Sequence, residues 1–188
     1  MKMAIETPKF TLLQKDGKFE IRKYEGYISA SVEVEADYNH ALGEGFGILA
    51  DYIFGNNRAK TSIAMTAPVT GQAVKNQKIE MTAPVTAKQA GDGKKHEISF
   101  TMPAKYTLDN LPEPVNTAIS VYKVEPYKAA VLKFSGYMNE KNTVKKIQEL
   151  QMWLKANKLE AKSGFVSAQY NPPWILGPFR RNEIIAEI

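Results

Sequence analysis

Residues 27–35 alternate with a period of two. Ile28, Ala30, Val32 and Val34 fall on one side and Ser29, Ser31, Glu33 and Glu35 on the other, which predicts a half-buried strand. Upstream, the apolar runs Phe10–Leu13 and Phe19–Tyr24 flank Asp16-Gly17, a pair suited to a hairpin turn. The period then changes. Tyr38, Ala41, Leu42, Gly45, Phe46, Leu49, Tyr52 and Ile53 recur at helical spacing behind Asp37, an N-cap residue, and stop at Gly55. A proline-interrupted, β-rich stretch follows, then a Gly- and Lys-rich loop over residues 89–95, and a new strand opens at Glu97.

The second half repeats this order at an offset of one hundred. Phe19, Ile21, Lys23, Glu25 and Tyr27 align with Ile119, Val121, Lys123, Glu125 and Tyr127, and Ala30, Val32 and Val34 with Ala130, Leu132 and Phe134. A second helix is expected from Asn139 or Asn142 to Asn157, with Val144, Ile147, Leu150, Gln151 and Leu154 on one face. The chain closes with a strand over residues 165–170, a turn through Asn171-Pro172-Pro173-Trp174, and a last strand from Glu183 to Ile188. Such an order implies an α+β fold, a pseudo-twofold repeat of two βαββ-type units. Their sheet curves into a distorted open β-barrel with two main helices packed outside. One domain is expected over residues 6–188, with halves at about 9–88 and 96–188 and a cleft where they meet.

Met65-Thr66-Ala67-Pro68-Val69 returns letter for letter as Met81-Thr82-Ala83-Pro84-Val85, sixteen positions later. That spacing differs from the offset between the halves, so both copies are assigned to one hairpin. Proline removes a ladder donor and places each copy at an edge, a bulge or the lip of a cavity. The methionines then either fill a core or wall a cavity.

Composition narrows the chemistry. The chain has 188 residues, 44% of them hydrophobic, and no cysteine, which excludes disulfides, thiolate metal sites and a cysteine nucleophile. The net charge of +5 favours anionic ligands. Its cations are scattered, and no nucleic-acid-binding pattern accompanies the pairs Lys94-Lys95, Lys145-Lys146 and Arg180-Arg181, so no nucleic-acid partner is expected. The N-terminal residues carry no apolar signal core and no window reaches the length of a membrane span. A soluble, cytoplasmic monomer is the expectation.

Several strings carry a family resemblance: Phe19-Glu20-Ile21-Arg22-Lys23-Tyr24, residues 63–69, Phe100-Thr101-Met102-Pro103, Phe134-Ser135-Gly136, and Tyr170-Asn171-Pro172-Pro173 followed by Arg180-Arg181-Asn182-Glu183. In this order, from about residue 6 to the end, the chain resembles the SOUL haem-binding protein family. The resemblance implies a distorted two-repeat barrel and non-covalent binding of haem or another tetrapyrrole, with haem transfer, buffering or scavenging as the role.

Haem needs an apolar surface, cations for two propionates and, optionally, an axial ligand. Phe46, Leu49 and Tyr52 can form a platform on the first helix, eased by Gly43, Gly45 and Gly47; the alternative is that they are core. Met65 and Met81 can cover a porphyrin face, Tyr170 and Trp174 can stack on it, and Arg180 or Arg181 can pair with a propionate. The alternative for the last four is a structural corner with an Arg181–Glu183 ion pair. Some animal members of the family carry a histidine ligand where this chain has Lys23, and related members place a propionate-binding arginine where it has Gly43. The remaining metal candidates are His40, Lys23 and Met65. His96, after the loop, is expected to be exposed.

The architecture also resembles gyrase-inhibitor-like ligand domains, which include hydrophobic-ligand sensors and hydrolases with a cleft glutamate and tyrosine. Glu183 with Tyr127 is the pair that would serve here, with Glu25 or Glu125 near Tyr27 or Tyr127 as alternatives. An interaction module is the third reading.

Overall fold

The computed structural model describes residues 6–59, 76–90, 95–172 and 174–188. Strands β1 (Phe10–Asp16) and β2 (Phe19–Tyr24) form the expected hairpin, turning at Gly17 with φ +56°. Next come β3 (Tyr27–Glu35), helix α1 (Tyr38–Phe54), the two-residue β4 (Asn57–Arg58), β5 (Val85–Ala90) and β6 (Lys95–Thr101). The rest comprises β7 (Glu113–Pro114), β8 (Ser120–Val124), β9 (Tyr127–Phe134), helix α2 (Glu140–Ala156), β10 (Val166–Gln169), a single 3-10 turn (Gly177–Phe179) and β11 (Asn182–Glu187). Both helices start where a side chain accepts from early amides, Asp37 for α1 and Asn139 for α2. Gly55, at φ 129°, ends α1 in a conformation that other residues rarely adopt.

Nine strands form one curled antiparallel sheet in the order β1-β2-β9-β11-β10-β5-β6-β3-β8. From the β5–β10 junction the order runs β6, β3, β8 one way and β11, β9, β2 the other. Strands far apart in the chain exchange partners: β2 pairs with β9, and β8 with β3. This exchange closes an α+β open barrel.

Register defines the two faces. Directly opposed antiparallel residues share a face, so Ser167, Ile184 and Ala87 point the same way. On that convex side α1 covers Ala30, Val32, Val34, Ile98 and Phe100, while α2 covers Ile21, Ala130, Leu132 and Ile184. Trp153 of α2 stacks on Phe19 at 5.0 Å and donates to Asp16, which fixes the first hairpin against that helix.

Three expectations are corrected here. Ser29 and Ser31 are buried, because the first part of β3's polar side faces the concave interior, while Glu33 and Glu35 further along stay exposed. The buried stripe of α2 runs through Leu150, Trp153 and Leu154, and Val144 is exposed. His96 is buried against Tyr38 because its β6 position faces α1. The first copy of the doubled motif, with Met65, lies outside the described residues. The second leads through a bend at Ala83 into β5.

Candidate functional site

On the concave face the period-two alternation of β2 brings Glu20, Arg22 and Tyr24 together. Arg22 is fully buried. Its guanidinium donates to both carboxylate oxygens of Glu183 at 2.9 and 3.0 Å, to Glu20 at 2.8 Å and to the Tyr24 hydroxyl at 2.9 Å, and the Phe10 ring covers it at 4.2 Å. Glu183, from β11, is also fully buried and accepts further bonds from the Tyr170 hydroxyl at 2.7 Å and from Arg181 at 2.8 and 3.1 Å.

Burial pushes the Glu183 carboxyl up, but the hydrogen bonds and charges of Arg22, Arg181 and Tyr170 outweigh it and hold the group below the usual carboxylate range. Burial, reinforced by the Glu183 charge, raises the Tyr170 phenol; burial and Tyr27 raise Tyr127. A carboxylate with its lone pairs taken by three side chains is a poor proton acceptor, and a phenol shifted upward is a poor nucleophile. The geometry holds charge rather than moving a proton, which counts against the catalytic pairing of Glu183 with Tyr127. Tyr127 instead stacks on Tyr24 at 5.0 Å.

Beside this cluster lies a cleft of about 390 Å³. Tyrosines line it, together with Glu97, Glu125, Glu187 and Lys88. Three carboxylates against one lysine make a poor berth for two propionates.

Outside the sheet, α1 presents a second surface. Among its three glycines only Gly45 is explained by packing: an added Cβ would stand 2.5 Å from Ile98. At Gly43 and Gly47 an added Cβ meets nothing within 4 Å among the described residues. His40, Gly43, Gly47 and Phe54 share this outer face, at intervals of three, four and seven residues. Phe46 flanks it, 37% exposed and edge-on to Phe100 at 5.5 Å. Lys78 sits over the exposed Phe54 ring at 5.7 Å. At the other end, Asp37 hydrogen-bonds Nδ1 of His40, and that bond and its charge hold the imidazole pKa above its ordinary value.

The platform expected from Phe46, Leu49 and Tyr52 is therefore corrected. Leu49 and Tyr52 are core residues, and the Tyr52 hydroxyl donates to the Pro112 carbonyl at 2.6 Å. Lys23 is exposed on β2, on the side that α2 covers, in register with Lys128. Met81 is 39% exposed. Tyr170 packs inside the concave face, whereas Trp174 is 77% exposed, so they do not form one stacking surface. Arg181 lies over the Tyr170 ring at 3.9 Å and is committed to Glu183; Arg180 stacks on Tyr137 and donates to the Ile175 carbonyl. The ion pair expected of Arg181 and Glu183 is present, but with a fully buried carboxylate. Sequence reasoning missed Arg22, although Glu20, Arg22 and Tyr24 at alternate positions do signal a polar strand face. Among the described residues no group of three or more His, Asp or Glu side chains converges as a metal site.

The fold defines the class first: an α+β domain built on one curled antiparallel sheet. Similar solved structures are the EcmrR C-terminal domain (TM-score 0.62, 11% identity, 90% of this chain and 95% of that one) and a hydrolase from Listeria innocua (TM-score 0.55, 10% identity, 93% of each). At such identities the likeness concerns the fold alone. The family model described as SOUL heme-binding protein matches residues 5–76 and 70–187, and the chain belongs to that family. It is 26% identical to Heme-binding protein 1 of Xenopus laevis over 174 residues, covering 91% of this chain and 84% of that one. It is also 26% identical to Heme-binding protein 2 of Homo sapiens over 181 residues, covering 90% and 80%.

Proposed function

We propose that the protein binds haem or a closely related tetrapyrrole, non-covalently, on the outer face of α1. The observation that carries the location is the pair Gly43 and Gly47. Each costs a helix about 0.8–1 kcal/mol relative to alanine, and neither is needed for packing within the described residues. Such glycines let a flat macrocycle approach the backbone, with Phe46 and Phe54 as apolar flanks. Family membership and the names of both relatives support haem as the ligand.

The residues present fit that ligand. Lys78 offers a cation at the C-terminal end of the face. His40 lies at the N-terminal end with Nδ1 held by Asp37, which leaves Nε2 outward; a carboxylate orienting a histidine in this way is a common arrangement behind metal-ligating imidazoles. Bound haem would supply a redox-active iron, while the chain supplies contact and orientation. An open helix face suits buffering or transfer, in a single domain of two related halves. The carboxylate-rich cleft stays separate from this role.

Haem titration followed in the Soret region tests the proposal. A saturable shift with one haem per chain is expected, together with a changed ligation spectrum in His40→Ala. No saturable change at micromolar haem would refute the binding reading. An unaltered spectrum in His40→Ala would refute the ligand assignment alone.

A further inference from the structure

The turn before α2 and the loop before β11 are locked into one prominence. The Gly136 amide donates to the Gly177 carbonyl at 2.8 Å, and Asn182 donates to the Gly136 carbonyl at 2.8 Å. The Tyr137 ring lies so close on Gly177 that an added Cβ would meet it at 2.7 Å, and Arg180 stacks on that ring at 4.7 Å. From this rigid base Trp174, Leu176 and Phe179 project with 77%, 63% and 76% of their surface exposed, and Tyr137 with 54%. Large apolar side chains this bare, gathered on one short loop, are unusual on a soluble surface.

Exposed charge around the prominence is mostly positive. Residues 170–182 contain Arg180 and Arg181 and no acid, with Arg181 paired to the buried Glu183 that follows. The first turns of α2 add exposed Lys141 and Lys145 against Glu140, and Asn142 of the same turn donates to the Tyr137 carbonyl. We propose that this loop is a membrane-docking surface that inserts Trp174, Leu176 and Phe179 into the headgroup layer of an anionic lipid bilayer, with the basic rim facing the phosphates. Tryptophan and phenylalanine beside basic residues are the chemistry that partitions at the edge of a bilayer. A fluid interface accepts projecting side chains without a complementary pocket, whereas a protein partner would need one shaped around them. No helix among the described residues is long and apolar enough to cross a membrane.

The test uses the whole protein with phosphatidylcholine vesicles, with and without phosphatidylserine. Cosedimentation with the anionic vesicles is expected, with a blue shift in tryptophan fluorescence. That shift reports Trp174, because the other tryptophan, Trp153, is already buried. The combined variant Trp174→Ser, Leu176→Ser, Phe179→Ser should lose at least tenfold in partition while melting as the wild type does, since those side chains are so exposed. Lys141→Gln and Lys145→Gln should each weaken binding about fivefold, on anionic vesicles only, as expected for about 1 kcal/mol per basic residue. Absence of partition by the wild type would overturn the proposal, as would equal partition by the triple variant. A dimer that the triple variant converts to monomer, without vesicle binding, would reassign the loop to a second copy of the chain. Loss of haem binding in the triple variant, with vesicle binding unchanged, would reassign it to the haem site.

Discussion

Arg22→Met is expected to destabilise the protein by about 3–5 kcal/mol at neutral pH, the usual cost of removing one partner from a buried ion pair. Methionine fills much of the same space, so the loss is electrostatic. Two carboxylates depend on that guanidinium: Glu183, fully buried, and Glu20, 5% exposed. After the substitution Glu183 keeps only Arg181 and Tyr170, and Glu20 keeps Lys133 at 3.2 Å. The size of the loss should depend on pH. In the native protein burial raises both carboxyls, and their cation partners more than offset this, so both sit below their ordinary value of 4.5. A carboxyl lowered on folding contributes stability above its unfolded value, and that contribution is lost as pH falls through the folded value. Because the variant starts from a lower stability, protonation of the remaining carboxylates should unfold it at a higher pH than the wild type. The deficit of the variant should also shrink below about pH 4, where the carboxyls become protonated. Urea unfolding across pH 3–8 reads both effects. A deficit below 1 kcal/mol, or one that does not vary with pH, would show that the cluster carries little of the fold.

The three glycines of α1 should part company when substituted. Gly47→Leu, and equally Gly43→Leu, should stabilise the helix by up to about 1 kcal/mol, because leucine is a far better helix former and an added Cβ meets nothing among the described residues. Haem affinity should nonetheless fall at least tenfold, or about 1.4 kcal/mol, since the new side chain stands where the macrocycle rests. Gly45→Ala should behave in the opposite sense. Its Cβ would meet Ile98 at 2.5 and 2.6 Å, and those contacts are to the branch point of a strand residue, not to a flexible tip. Overpacking of that kind costs about 1–3 kcal/mol. Melting curves beside Soret titrations separate the two outcomes. A Gly47→Leu protein that binds haem like the wild type would remove α1 from the site.

Local pattern carried a good deal of this structure. The Asp16-Gly17 hairpin, the Asp37 and Gly55 ends of α1, and the inward sets Ala30, Val32, Val34 and Ala130, Leu132 were legible because each is set by neighbours in the chain. The pairing of β2 with β9 and β8 with β3 was not, since it is a choice between strands about a hundred residues apart. That same exchange explains the buried Ser29 and Ser31, which read as solvent-facing until the curled sheet closes over them. At the site, the helix period placed Phe46, Leu49 and Tyr52 on one broad stripe, but they divide at its boundary. Leu49 and Tyr52 sink toward Ile98 and Pro112, and Phe46 remains at the rim. Arg22 escaped notice because arginine is rarely fully buried, and only the distant Glu183 makes its burial tolerable. Glycine spacing did point to α1, yet telling the packing glycine from the two open ones required the position of Ile98.

Amide NMR spectra of the isotopically labelled protein, recorded while ferric haem is added, locate the bound haem, because the paramagnetic iron broadens the signals nearest to it. Selective broadening along α1 from His40 to Phe54 is expected at one equivalent of haem, with the amides of Tyr127, Tyr170 and Glu183 on the concave face largely unaffected. Broadening centred on the concave strands with α1 left sharp, or no saturable change at all, would contradict haem binding on α1.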